Sequence, residues 1–138
     1  MLFLKLSGVS FIYAISLFLQ VELFVNQYRI EKYFDLGDLG GTISWVNFLI
    51  FIMTTIICYY FTHRLFFEKK VKYVLSILWI PIFVSFIKIF ANAYPITDQN
   101  DTPLPGIGLL VLLYIMAYPV YIIFINVIVS LRSKKQMK

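Results

Sequence analysis

Polar side chains punctuate the chain at long intervals, and between them run four stretches dominated by Leu, Ile, Phe and Val. A helix rising about 1.5 Å per residue needs about 20 mostly apolar residues to cross a hydrocarbon layer. Four stretches meet that length: Leu6 to Val25, Ser44 to Thr62, Tyr73 to Ala91 and Ile107 to Leu131. None alternates apolar with polar as a barrel strand does, and a helix satisfies its own backbone in lipid. The pattern predicts an all-α membrane protein, a four-transmembrane-helix bundle that makes residues 1–138 a single integral membrane domain. Residues 26–43 and 92–106 then form outer loops. Residues 63–72 form a cytoplasmic loop and 132–138 a cytoplasmic tail.

Composition agrees with the pattern. The apolar fraction is 61% and the charged fraction 14%, against about 25% charged residues in a soluble domain. Too few charges remain to coat a water-facing surface. Lys5 ahead of the first run fits a signal peptide, but the run is longer than a signal core and no small-x-small cleavage site follows. The first stretch therefore reads as a span. The richness in Ile, Phe, Tyr and Lys associates the chain with an AT-rich bacterial genome.

The net charge of +5 is distributed as a topology signal. Lys5, Arg64, Lys69, Lys70, Lys72, Arg132, Lys134, Lys135 and Lys138 oppose only Glu68, which leaves +8 on one side. Arg29, Lys32 and Lys88 oppose Glu22, Glu31, Asp35, Asp38, Asp98 and Asp101, which leaves −3 on the other. Basic residues stay on the cytoplasmic side, so both termini are expected inside the cell membrane. No nucleic-acid partner is needed to explain the charge. The tail can also touch anionic lipid, at about 1 kcal/mol per basic residue near the surface.

Polar residues within the spans need company, because lipid offers no hydrogen bonds. Glu22 lies about 24 Å along the first span and Lys88 about 22 Å along the third, both counted outward. Equal depth suggests a Glu22–Lys88 ion pair, with snorkelling of each to the outer surface as the alternative. Ser16 and Gln20 stripe the first helix, and Glu22 falls about 200° from Gln20. Helix one is thus expected to meet protein on two sides, which in a four-helix bundle points to a second chain. Asn47, Thr54 and Cys58 stripe the second span, Ser85, Lys88 and Asn92 the third in line with Pro81, and Asn126 the fourth in line with Pro119. All are expected to face the bundle or a pore, with kinks at the two prolines. Tyr114, Tyr118 and Tyr121 share a face of the fourth span and read as helix packing. The segment after span one, with Ile30, Tyr33 and Phe34 at helical spacing, should prolong that helix and end at Gly37 or at Gly40-Gly41.

Chemistry-bearing motifs are sparse. A single cysteine and a single histidine exclude an intrachain disulfide and a Cys-based zinc site. Asp98, Asn100 and Asp101 lack the glycine and closing glutamate of a calcium loop. Asn100-Asp101-Thr102 is a glycosylation sequon, relevant only in a secretory pathway that the composition argues against. No cofactor, metal or catalytic cluster is expected. The sequence reads as a non-enzymatic accessory, immunity or defence-type membrane component, a homo-oligomer or the subunit of another membrane protein. The alternative is a small oligomeric channel or transporter whose polar stripes line a pore.

Overall fold

The computed structural model describes every residue except 36, 67–69, 100–101 and 137–138, and describes no side chains over 133–136. Glu68, Lys69, Asn100, Asp101 and Lys138, with the side chains of Lys134 and Lys135, therefore lie outside it. Five α-helices follow one another: α1 (Leu2–Val25), α2 (Gln27–Phe34), α3 (Gly40–Phe66), α4 (Leu75–Ala93) and α5 (Pro105–Gln136). A 3-10 segment, Lys70–Val74, leads into α4. No strand occurs among the described residues. Four segments are long and apolar enough to cross a membrane: α1, α3, α4 with its 3-10 lead, and Pro105–Arg132 of α5.

Each crossing helix outruns the span expected for it at one end or both. Hydrocarbon thickness limits the apolar run, but not the hydrogen-bond ladder, which continues into the interface. α5, at 32 residues, measures about 48 Å against a hydrocarbon core of about 30 Å. α4 and α5 run unbroken through Pro81 and Pro119.

α1 is the most enclosed of the four crossing helices and α5 the least. α1 packs against α3, α4 and α5, and α5 closes the ring by packing on both α3 and α4. Tyr13, Ala14 and Leu17 of α1, Cys58 and Phe66 of α3, Leu75 and Trp79 of α4, and Ile122 and Val129 of α5 fill the centre. The opposite faces are apolar too. Leu109, Leu113, Met116, Val120, Phe124 and Leu131 form an exposed stripe along α5, spaced three, four or seven residues apart as one helical face requires. Such a surface suits acyl chains. Lipid and leucine are equally apolar, so van der Waals fit and interhelical hydrogen bonds hold these helices together more than expulsion of water does.

Two expectations are corrected here. α1 does not simply continue into the next segment. It turns at Asn26 (φ −97°, ψ 13°) and resumes as α2. The Asn26 amide explains the bend, because Nδ2 reaches back to both the carbonyl of Glu22, at 3.1 Å, and its Oε2, at 2.6 Å. α2 then stops at Asp35, not at a glycine, in the left-handed conformation (φ 51°). Asp tolerates that region better than most residues, and Gly40 instead opens α3. The second correction is that end point of α2, which falls before either glycine position. α1 meets protein on two sides, and both α3 and α4 of the same chain pack against it.

Candidate functional site

The polar residues of α1 and α3 meet in a buried seam. Ser16, Gln20, Asn47, Thr54 and Cys58 are all buried, as the stripes implied. The Thr54 hydroxyl donates to the Ile50 carbonyl at 2.7 Å. Thr54 has one hydroxyl proton, so in its contact with Ser16 the serine must donate. The Gln20 amide in turn donates to Ser16 Oγ at 3.2 Å. A directional chain results: Gln20 to Ser16, Ser16 to Thr54, Thr54 to the backbone. Asn47 Nδ2 adds a long bond, 3.4 Å, to the Gln20 carbonyl.

The tyrosines of α5 join the seam from the other side. The Tyr118 hydroxyl donates to the Tyr13 carbonyl at 2.7 Å. Its ring lies edge-on to Trp79 at 5.1 Å between centroids. The Thr55 proton goes to the Phe51 carbonyl, so Tyr121 donates to Thr55 Oγ1 at 2.8 Å. Tyr114 packs edge-on against Phe24 at 5.9 Å. Helix packing therefore accounts for this face. A hollow of about 600 Å³ remains between α1, α3 and α5, bordered by Gln20, Asn47 and Tyr114.

At the end of the bundle that holds the 3-10 segment, buried Asn126 donates to the Lys72 carbonyl at 3.0 Å, joining α5 to the lead of α4. Arg132 donates to the Tyr59 hydroxyl at 2.9 Å and joins α5 to α3. Pro119 is half-buried on the Asn126 side of α5.

The stripe on α4 lies elsewhere. Pro81, Ser85, Lys88 and Asn92 share a face, but that face is exposed. Trp79 and Phe83, each two residues from a member of the stripe, enter the bundle in its place. The large rings fill interhelical space that a serine would leave empty, and two residues turn the helix by about 200°. The Ser85 hydroxyl bonds the Pro81 carbonyl at 2.8 Å, so it needs no interhelical acceptor. No salt bridge joins Glu22 to Lys88 among the described residues. The bend at Asn26 gives Glu22 a local amide partner, while Lys88 stays exposed.

Further polar contacts gather beside Glu22, where α1 gives way to α2. Arg29 donates through one terminal nitrogen to Asn26 Oδ1 at 3.0 Å and to the Tyr94 carbonyl at 3.1 Å, fastening α2 to the end of α4. Lys32 and Asp98 form a 3.0 Å ion pair. Glu31 receives Gln27 Nε2 and the backbone N–H of Leu39, both at 2.9 Å, and so orders the approach to α3. The spacing of Gln27 and Glu31, four residues apart, announces that contact in the sequence. Nothing local announces Arg29 with Tyr94, or Asn126 with Lys72. Among the described residues, no three His, Cys, Asp or Glu side chains converge as metal ligands do.

Comparison with protein-family models, curated proteins and solved structures gave no match to this chain.

Proposed function

We propose that this chain is a non-enzymatic multi-pass protein of the plasma membrane, with both termini cytoplasmic. It works by helix–helix contact with a second membrane protein, either another copy or a different subunit, as accessory, immunity and defence-type components do. The single observation that supports this reading is the exposed line of Ser85, Lys88 and Asn92 on α4. An ammonium and an amide turned toward acyl chains are costly, whereas a neighbouring helix supplies acceptors. The orientation rests on the excess of Lys and Arg in the 63–72 loop and the tail. The same basic tail attracts anionic lipid.

A pore between copies draws less support. Ser16, Gln20, Thr54 and Cys58 are buried within one chain and are not offered to a lumen between chains.

A photo-crosslinking residue at position 85, activated in native membranes, tests the contact, with position 116 on the apolar face of α5 as control. The expected product at position 85 is one discrete protein adduct, at twice the chain mass for a copy or at another fixed mass for a different subunit. Lipid adducts alone at position 85, matching those at position 116, overturn the reading.

A further inference from the structure

The bend between α1 and α2 leaves a groove beneath α2. Its volume is about 940 Å³, within the range of about 300–1,000 Å³ typical of ligand pockets. Its lower wall is apolar, made by Phe18, Leu19 and Leu23 of α1 and Phe90 of α4. Its upper rim carries Glu22, Asn26 and Arg29, with Lys32, ion-paired to Asp98, beyond them. A second hollow of about 550 Å³ reaches the same three rim residues from the α4–α5 side. The division into an apolar trough below and charges above matches the division of a phospholipid into chains and headgroup. It also lies where the apolar run of α1 ends and the amphipathic α2 begins, the level at which headgroups sit.

The rim has unused bonding capacity of both signs. Glu22 is bonded only through Oε2, to Asn26, so Oε1 has no hydrogen-bond partner among the described residues. Arg29 engages two neutral acceptors through one terminal nitrogen. Its guanidinium carries five N–H donors, so donors remain on the other nitrogens, and no carboxylate is bonded to them among the described residues. A carboxylate and a guanidinium on one rim, each with open positions, complement a headgroup holding both an ammonium and a phosphate. A purely anionic headgroup would suit Arg29 and be repelled by Glu22. A quaternary ammonium would keep the charge and lose the hydrogen bonds.

We propose that the groove beneath α2 binds an outer-leaflet phospholipid with a primary-amine headgroup. Its ammonium donates to Glu22, its phosphate accepts from Arg29, and one acyl chain lies along Leu19, Leu23 and Phe90. The one carboxylate of α1 then has a purpose, and the kink at Asn26 opens the space for it. Charge-assisted hydrogen bonds are about twice as strong as neutral ones, so the discrimination falls on the number of N–H donors that the headgroup retains.

The test needs only the intact chain in nanodiscs. Phosphatidylethanolamine, its mono-, di- and trimethylated derivatives and phosphatidylglycerol are supplied at equal fractions, and retained lipid is counted by native mass spectrometry. Retention is expected to fall stepwise with methylation, to about one-tenth for the trimethylated form, with phosphatidylglycerol no better than that form. Glu22→Gln, which preserves shape, should flatten the methylation series. Leu19→Trp, on the lipid-facing side of the trough, should lower retention of every lipid. Equal retention of all five lipids by the wild-type chain overturns the proposal, and so does a methylation series that survives Glu22→Gln.

Discussion

The seam between α1 and α3 makes a quantitative forecast, because its hydrogen-bond direction is fixed. Ser16 both accepts from Gln20 and donates to Thr54, whose own proton is committed to the Ile50 carbonyl. Ser16→Ala removes the acceptor of a buried Gln20 amide, and a buried donor left without a partner costs about 1–3 kcal/mol. Thr54→Val keeps the side-chain shape and removes the Ser16 acceptor together with the extra donor to the Ile50 carbonyl, an acceptor that the helix backbone also serves. The freed Ser16 proton can turn to the carbonyl four residues earlier, a common resort for serine in helices. The first substitution should therefore cost about 1–2 kcal/mol and the second about 0.5–1 kcal/mol, both reduced from aqueous expectations. Interhelical hydrogen bonds in membranes average about 0.6 kcal/mol and reach about 1.7 kcal/mol. A chain of three bonds polarises its members, which places the Ser16–Thr54 coupling near 1 kcal/mol. The assay is a double-mutant cycle on unfolding in mixed micelles titrated with a denaturing detergent. A coupling of zero within error refutes the directional chain, and so does a Thr54→Val cost larger than that of Ser16→Ala.

Three further outcomes follow from the same packing. Cys58 is fully enclosed, so its thiol should resist a membrane-permeant maleimide in the folded chain and react within minutes after detergent unfolding; rapid labelling of the folded chain contradicts the central packing. Asn126→Leu deletes the donor to the Lys72 carbonyl and should loosen the lead of α4, read as faster amide exchange at residues 72–76 with α1 unchanged. The Lys32–Asp98 pair is 63% and 41% exposed, so Lys32→Gln should cost at most about 0.5 kcal/mol, with the loss vanishing at high salt; a salt-independent loss shows that Lys32 acts through something other than this pair.

The crossing helices were legible in the sequence because an apolar run about 20 residues long has no other stable home. The inward stripes on α1 and α3 were legible for a related reason: a polar side chain in lipid seeks another helix, and Ser16, Gln20, Asn47, Thr54, Cys58 and Asn126 are all buried. The α4 stripe followed the same rule on paper, yet Ser85, Lys88 and Asn92 lie outside the bundle. Periodicity says which residues share a face, but not which face packs, and on α4 the bulk of Trp79 and Phe83 decides. Equal depth of Glu22 and Lys88 was also readable, but depth fixes only one coordinate of two. The rotation of α4, and the amide that Asn26 offers four residues from Glu22, set the rest. The bend at Asn26 escaped the pattern because Asn26 keeps its own helical bonds: its N–H donates to the Glu22 carbonyl at 2.9 Å and its carbonyl accepts from Ile30 at 3.0 Å. No proline or glycine marks it.

The most direct test of the whole arrangement is cysteine accessibility in intact cells, with Cys58 replaced by alanine and single cysteines placed at positions 33, 97, 70 and 132. Positions 33 and 97 should react with a membrane-impermeant maleimide from outside, and positions 70 and 132 only after the membrane is opened. Labelling at 132 in sealed cells, or at 33 and 97 only in opened ones, contradicts four crossings with both ends in the cytoplasm.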